Sequence, residues 1–126
     1  MNGADDEYLR TKVMTASPYR LHLMVIEAML RHCRKALKAI DDADFETSHT
    51  ETARAREFCA EVLSGIRNDA APELAANVKD YFLHVQKYLF MADMQQNRTA
   101  AEKAIELLEG YRESWVELNN RLAAAV

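Results

Sequence analysis

The sequence predicts an all-α protein, an antiparallel up-down four-helix bundle with a short N-terminal arm, on three observations. Its 126 residues include only three Gly and two Pro, a composition that favours long uninterrupted helices over strands and turns. Four segments carry apolar residues at alternating steps of three and four, the mark of a helix with one buried face. The links between those segments are short and polar, which makes consecutive helices antiparallel. A chain of this length suits one domain, residues 1–126, and folding removes about two-thirds of its surface from water, enough for a core without disulfides or metals.

Each helix has its own start signal. After the arm, residues 1–16, Ser17 stands before Pro18. A serine hydroxyl can cap an orphan N–H, and proline fits where its missing N–H costs nothing. Helix one is predicted over about residues 18–40, with Leu23, Ile26, Leu30, Cys33, Leu37 and Ile40 as its core stripe. "DDAD", residues 41–44, is a polar link ending in a cap for helix two, predicted over about 45–66. Its stripe is Phe45, Thr52, Ala55, Cys59, Val62 and Ile66, flanked by Phe58 and Leu63. "RNDAAP" breaks the pattern, and Pro72 suits the first turn of helix three, about 73–95, which aligns Leu74, Val78, Tyr81, Val85, Tyr88 and Ala92. "TAAE", residues 99–102, reads as a capping box opening helix four, about 100–122. Ala101, Ile105, Leu108, Tyr111, Trp115, Leu118 and Leu122 form the last stripe. The mean step, near 3.5, is that of helices crossing at about 20°.

The four faces are not alike. At 100° per residue, helices two and four are apolar mainly on one side, as a bundle core requires. Helix one also carries Leu21, Val25 and Ala28 well away from its stripe, with Met24 and Met29 at the margins. Helix three carries Leu83, Phe90 and Met94 nearly opposite its own. Such a surplus is either scatter, cover for the chain ends, or a groove for a partner. Methionine lends itself to the last, because an unbranched polarisable side chain adapts to varied surfaces.

Charge and composition narrow the function. A net charge of −4 opposes nucleic-acid binding. The basic run "RHCRKALK", residues 31–38, is placed near the end of helix one, where cations complement the macrodipole. No segment approaches the roughly 18 apolar residues of a membrane span, and "MNGADDEYLRTK" lacks the basic start and apolar stretch of a signal peptide. A cytoplasmic location is expected, with Cys33 and Cys59 as reduced, buried small hydrophobes. An antiparallel register sets them roughly 10 Å apart along the bundle, too far to bridge.

Catalytic chemistry has no positive signal. Glu46 and His49 form an E-x-x-H pair, but a dinuclear metal bundle needs two such pairs and two further glutamates. His22, His32 and His84 have no carboxylate at that spacing, so the pair reads as a surface contact and no metal or cofactor is expected. Neither cysteine has a base nearby in sequence, and no glycine-rich phosphate loop occurs. Arg112 and Trp115 read as an amphipathic anchor at the core boundary.

The run Tyr8-x4-Val13-x-Thr15-Ala16-Ser17-Pro18-x2-Leu21-x2-Met24 resembles the start of the flagellar secretion chaperone (FliS) family, and "PELAANV", "YLFMAD" and "LLEGYRESW" follow in that family's order and spacing. The chain departs from it at Ile26 and Ala28, where the family has tyrosine and glycine, and at Phe82 and His84, which replace paired tyrosines. The resemblance implies a cytoplasmic chaperone that holds the amphipathic C-terminal segment of flagellin, prevents premature polymerisation and serves the flagellar export machinery. It further implies that residues 8–13 lie against the bundle and shield part of the binding face. Joined to the face analysis, it points to Tyr8, Val13, Leu21, Met24, Val25, Ala28, Leu83, Phe90 and Met94 as contact residues. The competing reading is a bundle that forms a homodimer through the same faces and has no flagellin client.

Overall fold

A computed structural model describes residues 17–67 and 71–125. Four helices follow one another: α1 (Pro18–Asp41), α2 (Phe45–Ser64), α3 (Pro72–Gln95) and α4 (Arg98–Ala124). No strand occurs among the described residues. Helix α1 packs on α2, α2 on α3, α3 on α4, and α4 back on α1, so the bundle closes as a ring of antiparallel neighbours. The arm, residues 1–16, lies outside the described residues.

The caps explain where the helices begin. The Ser17 hydroxyl accepts from the Arg20 backbone N–H at 3.3 Å, with Pro18 in the first turn. Asp44 accepts from Thr47 N–H at 3.2 Å, and hydrogen bonds with the Thr47 side chain and backbone hold its carboxyl below the usual carboxylate range. Helix α4, however, does not open at the expected "TAAE" box. Gln96 turns the chain in the left-handed region with φ 48°, and the extended Asn97 that follows is the first side chain placed to cap. It accepts from Ala100 N–H at 3.1 Å, which leaves Thr99 inside the first turn.

The core differs in breadth and rotation from the stripes read in sequence. Its main cluster joins Ile26, Met29, Leu30 and Cys33 of α1 with Ala55 and Cys59 of α2, Phe82, Val85 and Leu89 of α3, and Ala104 and Leu108 of α4. In α3 the centre is Phe82, Val85 and Leu89, while Val78, Tyr81 and Tyr88 form its partly buried edge. The expected line was therefore one margin of a core rotated toward α2. At the end where α1 meets the start of α4, small residues such as Ala36, Ala39, Ala92, Ala100 and Ala101 are buried and let the helices approach closely. The opposite end is filled by rings, with Tyr111 and Trp115 of α4 stacked at 6.2 Å and Tyr19 of α1 stacked on Trp115 at 5.6 Å.

Four residues assigned to core stripes are exposed instead: Phe45, Leu74, Leu118 and Leu122. Phe45, Leu74 and Leu122 lie in the first or last turns of their helices and Leu118 one turn further in, where periodicity continues but the neighbouring helix no longer covers it. The basic run also needs a different account. Helix α1 runs to Asp41 and only Lys38 falls in its last turn, so the macrodipole does not reach Arg31, Arg34 or Lys35. Arg34 instead reaches across to Glu109 of α4 at 2.7 Å. Both cysteines are free and buried, and Cys59 donates weakly to the Phe82 carbonyl at 3.4 Å.

Candidate functional site

Leu83, Phe90 and Met94 stay 46, 49 and 54% exposed on α3. At 100° and 1.5 Å per residue they fall within about 40° of one another along about 16 Å of helix. They share one outer face of the helix, with Lys87 between Leu83 and Phe90, because the core claims Phe82, Val85 and Leu89 on the other side. The stripe borders the seam with α2, where the Arg56 guanidinium sits 5.3 Å from the centre of the Phe90 ring.

A polar cluster holds that seam. Asp93 of α3 is buried, and its carboxylate accepts from His49 Nδ1–H at 2.7 Å and from Arg56 at 3.5 Å. Gln86 Nε2 donates to the Arg56 carbonyl at 3.3 Å, tying the same two helices. His49 is thus partnered by an acid on α3 and not by Glu46, its neighbour in the E-x-x-H pair. Sequence reasoning passed over Asp93, although its position, four residues after Leu89 and eight after Val85, marks a carboxylate at core spacing.

The surplus on α1 is a different matter. Ala28, expected as a contact residue, is 0% exposed, and Met29 is equally buried. Ala28 lies on the same side of α1 as His32, whose Nδ1–H donates to Glu51 of α2 at 2.7 Å while its ring stacks on Phe58. That side of α1 is where α2 packs, so the apolar residues there serve the bundle itself. Leu21, Met24 and Val25 are half-buried, and Val25 packs against the core. Tyr8 and Val13 lie outside the described residues.

At the aromatic end, Arg112 pairs with Glu27 at 3.0 Å and Trp115 Nε1–H donates to the Tyr19 carbonyl at 3.2 Å. Both therefore clamp α4 to α1. Tyr111 O–H meets His22 Nε2 at 2.7 Å. Burial lowers the His22 pKa, while burial and then Tyr81 push the Tyr111 phenol up to about 12. Both shifts favour the uncharged form of the group concerned, and the direction of this hydrogen bond follows the imidazole tautomer. Beside this end a shallow recess of about 200 Å³ is lined by Pro18, Tyr19, Trp115, Leu118, Asn119 and Leu122. No group of three His, Cys, Asp or Glu side chains able to hold a metal occurs among the described residues. No described helix is long and apolar enough to cross a membrane.

An α-helical bundle with an open apolar helix face, bordered by a fixed polar seam, has the build of a protein that receives another polypeptide. The chain belongs to the family described as flagellar protein FliS, whose model matches residues 1–122. It is 24% identical over 124 residues to the flagellar secretion chaperone FliS of Campylobacter jejuni, an alignment covering 98% of this chain and 97% of that protein.

Proposed function

We propose that the protein is a cytoplasmic export chaperone that binds the C-terminal segment of flagellin, keeps it from polymerising early and delivers it to the flagellar export machinery. The observation that carries this reading is the exposed stripe Leu83, Phe90 and Met94 on α3. Leu21, Met24 and Val25 are proposed as a secondary, partly buried edge, and Tyr8 and Val13 as contacts from the arm; the buried Ala28 is not among them. The role is noncovalent and requires no metal or cofactor.

Magnitudes decide how much surface the client covers. Fully burying one large apolar side chain is worth roughly 1.5–3 kcal/mol, and the three stripe residues are about half-buried already. Sealing them yields about 3 kcal/mol, no more than the roughly 2–5 kcal/mol that ordering an unfolded segment costs. The client therefore follows a longer track than the stripe, and Phe45, Leu74, Leu118 and Leu122 are the further exposed large apolar side chains among the described residues. The arm is proposed to compete with the client, so deleting residues 1–14 is expected to tighten or accelerate binding.

Light scattering from polymerising flagellin tests the function. An equimolar amount of this protein is expected to suppress the rise in scattering, and an unchanged assembly curve counts against the reading. A stable dimer that buries the stripe and does not open for flagellin favours the homodimer instead.

A further inference from the structure

We propose that the outer face of α3 selects its client by charge as well as by apolar contact: the segment it takes is a helix with acidic side chains on both flanks of its apolar stripe, paired with Lys79 and Arg56 on one side and Lys87 on the other. This rests on the function proposed above and states the chemistry of the partner.

The helical repeat places the cations. With Leu83 as origin and 100° per residue, Phe90 and Met94 lie within about 20° of it, Lys79 about 40° to one side and Lys87 about 40° to the other. Both lysines are exposed, and they stand about 12 Å apart along the axis. The side of Lys79 is that of α2, because Gln86 and Asp93, which bond to α2, are rotated the same way. There Arg56 reaches across from α2, its guanidinium 3.5 Å from Asp93 and 5.3 Å from the centre of the Phe90 ring. Its side chain is 34% exposed, so N–H donors remain open to a client. Ala53 and Ala60, one turn either side of Arg56, are too small to cover the α3 face from that edge.

Neither lysine is neutralised within the bundle. Among the described residues neither ammonium pairs with a carboxylate, and Lys87 lies 5.6 Å from the centre of the Tyr88 ring. Elsewhere cations are answered by acids on another helix, as Arg34 is by Glu109, Arg98 by Asp41 and Arg112 by Glu27. Asp80 is an exposed acid on the flank of Lys87, and Glu57, which follows Arg56, pairs with Arg54 at 3.4 Å. A positive excess therefore borders the stripe on a chain whose net charge is −4. In a coiled-coil seam, charges beside the apolar positions choose the partner and its orientation. Here a helix with acidic flanks gains attraction along Leu83, Phe90 and Met94, and one with basic flanks meets repulsion.

The test is calorimetric titration of the full-length chain with a synthetic peptide of the C-terminal flagellin segment from the same organism, and with the same peptide carrying Asn and Gln in place of Asp and Glu. It is run at about 50 and about 500 mM NaCl, which shortens the screening length from about 14 to about 4 Å. Wild type is compared with a Lys79→Glu, Lys87→Glu variant and with an Arg31→Glu, Lys35→Glu control, which makes the same change in net charge at exposed positions of α1. At the lower salt the α3 variant is expected to bind the native peptide about tenfold more weakly than wild type, narrowing to about threefold at the higher salt, while the control stays within about twofold. Lys79→Gln with Lys87→Gln, which removes charge without adding repulsion, is expected to fall between wild type and the reversal. The amide peptide is expected to bind wild type and the α3 variant within about twofold of each other. Equal affinity of wild type and the α3 variant for the native peptide, an equal loss in the control, or an equal gap with the amide peptide overturns the inference and leaves the chaperone reading standing. Absence of binding of both peptides to wild type at either salt overturns the chaperone reading and this inference together.

Discussion

Phe82 and Phe90 lie eight residues apart on α3 and have opposite surroundings, so truncating each to alanine compares core and stripe within one helix. Phe82 is 0% exposed; its ring meets Tyr111 edge-on at 4.7 Å and Tyr81 at 6.0 Å. Removing a buried phenylalanine costs about 3–5 kcal/mol, and the lost ring pairs place this site at the upper end. The unfolding entropy of a 126-residue chain is about 0.26 kcal/mol/K, so Phe82→Ala is expected to lower Tm by roughly 15 °C. Phe90 is 49% exposed, with the Arg56 guanidinium over its ring. Losing a cation–π contact at an exposed site costs about 0.5–1 kcal/mol and losing the buried half of the ring about 1 kcal/mol more, a shift of roughly 6–8 °C. Thermal and urea unfolding followed by circular dichroism measure both. Comparable destabilisation by the two substitutions would show that Phe90 is packed as core, and the account of a spare face would fail.

Two further outcomes follow from buried titratable groups. Burial lowers the His22 pKa in the folded chain, so the unfolded chain binds that proton more readily. The contribution of neutral His22 to stability is present in full above about pH 6.5, the ordinary imidazole value, and is lost as pH falls toward the depressed folded value. The stability of His22→Gln is accordingly expected to decline less than that of wild type between pH 7.5 and 5.5 in urea titrations; parallel declines would contradict the assignment. Cys33 and Cys59 are both pushed up to about 12, chiefly by burial. At pH 8 only about one thiol in ten thousand is then ionised in the folded state, so an aromatic disulfide reagent should react only as the chain opens. Rapid reaction of either cysteine in the native protein would refute that burial.

The period of the apolar residues, Ser17 with Pro18, and the polar links made the four helices legible, because each feature acts within a turn or two of chain. Cap competition was less legible: Thr99 has the better local signature, but Gln96 turns the chain so that Asn97 reaches the orphan N–H first. Apolar periodicity also does not say which neighbour covers a face. Leu21, Val25 and Ala28 of α1 and Leu83, Phe90 and Met94 of α3 look alike as sequence, yet Ala28 is buried and Leu21 and Val25 are half-buried, while all three of the second group stay exposed. Helix ends mislead for the same reason, as Leu118 and Leu122 continue a stripe beyond the helices that bury it. The His49–Asp93 pair joins residues 44 positions apart, and a helical spacing rule that looks three or four residues ahead finds Glu46 instead.

The most direct measurement is calorimetric titration of the C-terminal flagellin peptide into the wild-type protein and into a Leu83→Ser, Phe90→Ser, Met94→Ser variant, at pH 8.0 over several temperatures. Wild type is expected to bind with a negative heat-capacity change, the mark of apolar burial. Loss of about 3 kcal/mol on the stripe weakens the variant by about a hundredfold; the halves of these side chains already buried are lost as well, so its unfolding transition falls by roughly 10 °C and the titrations are kept well below it. Equal affinity in the two proteins, or no binding to wild type, contradicts the claim that the outer face of α3 receives the client.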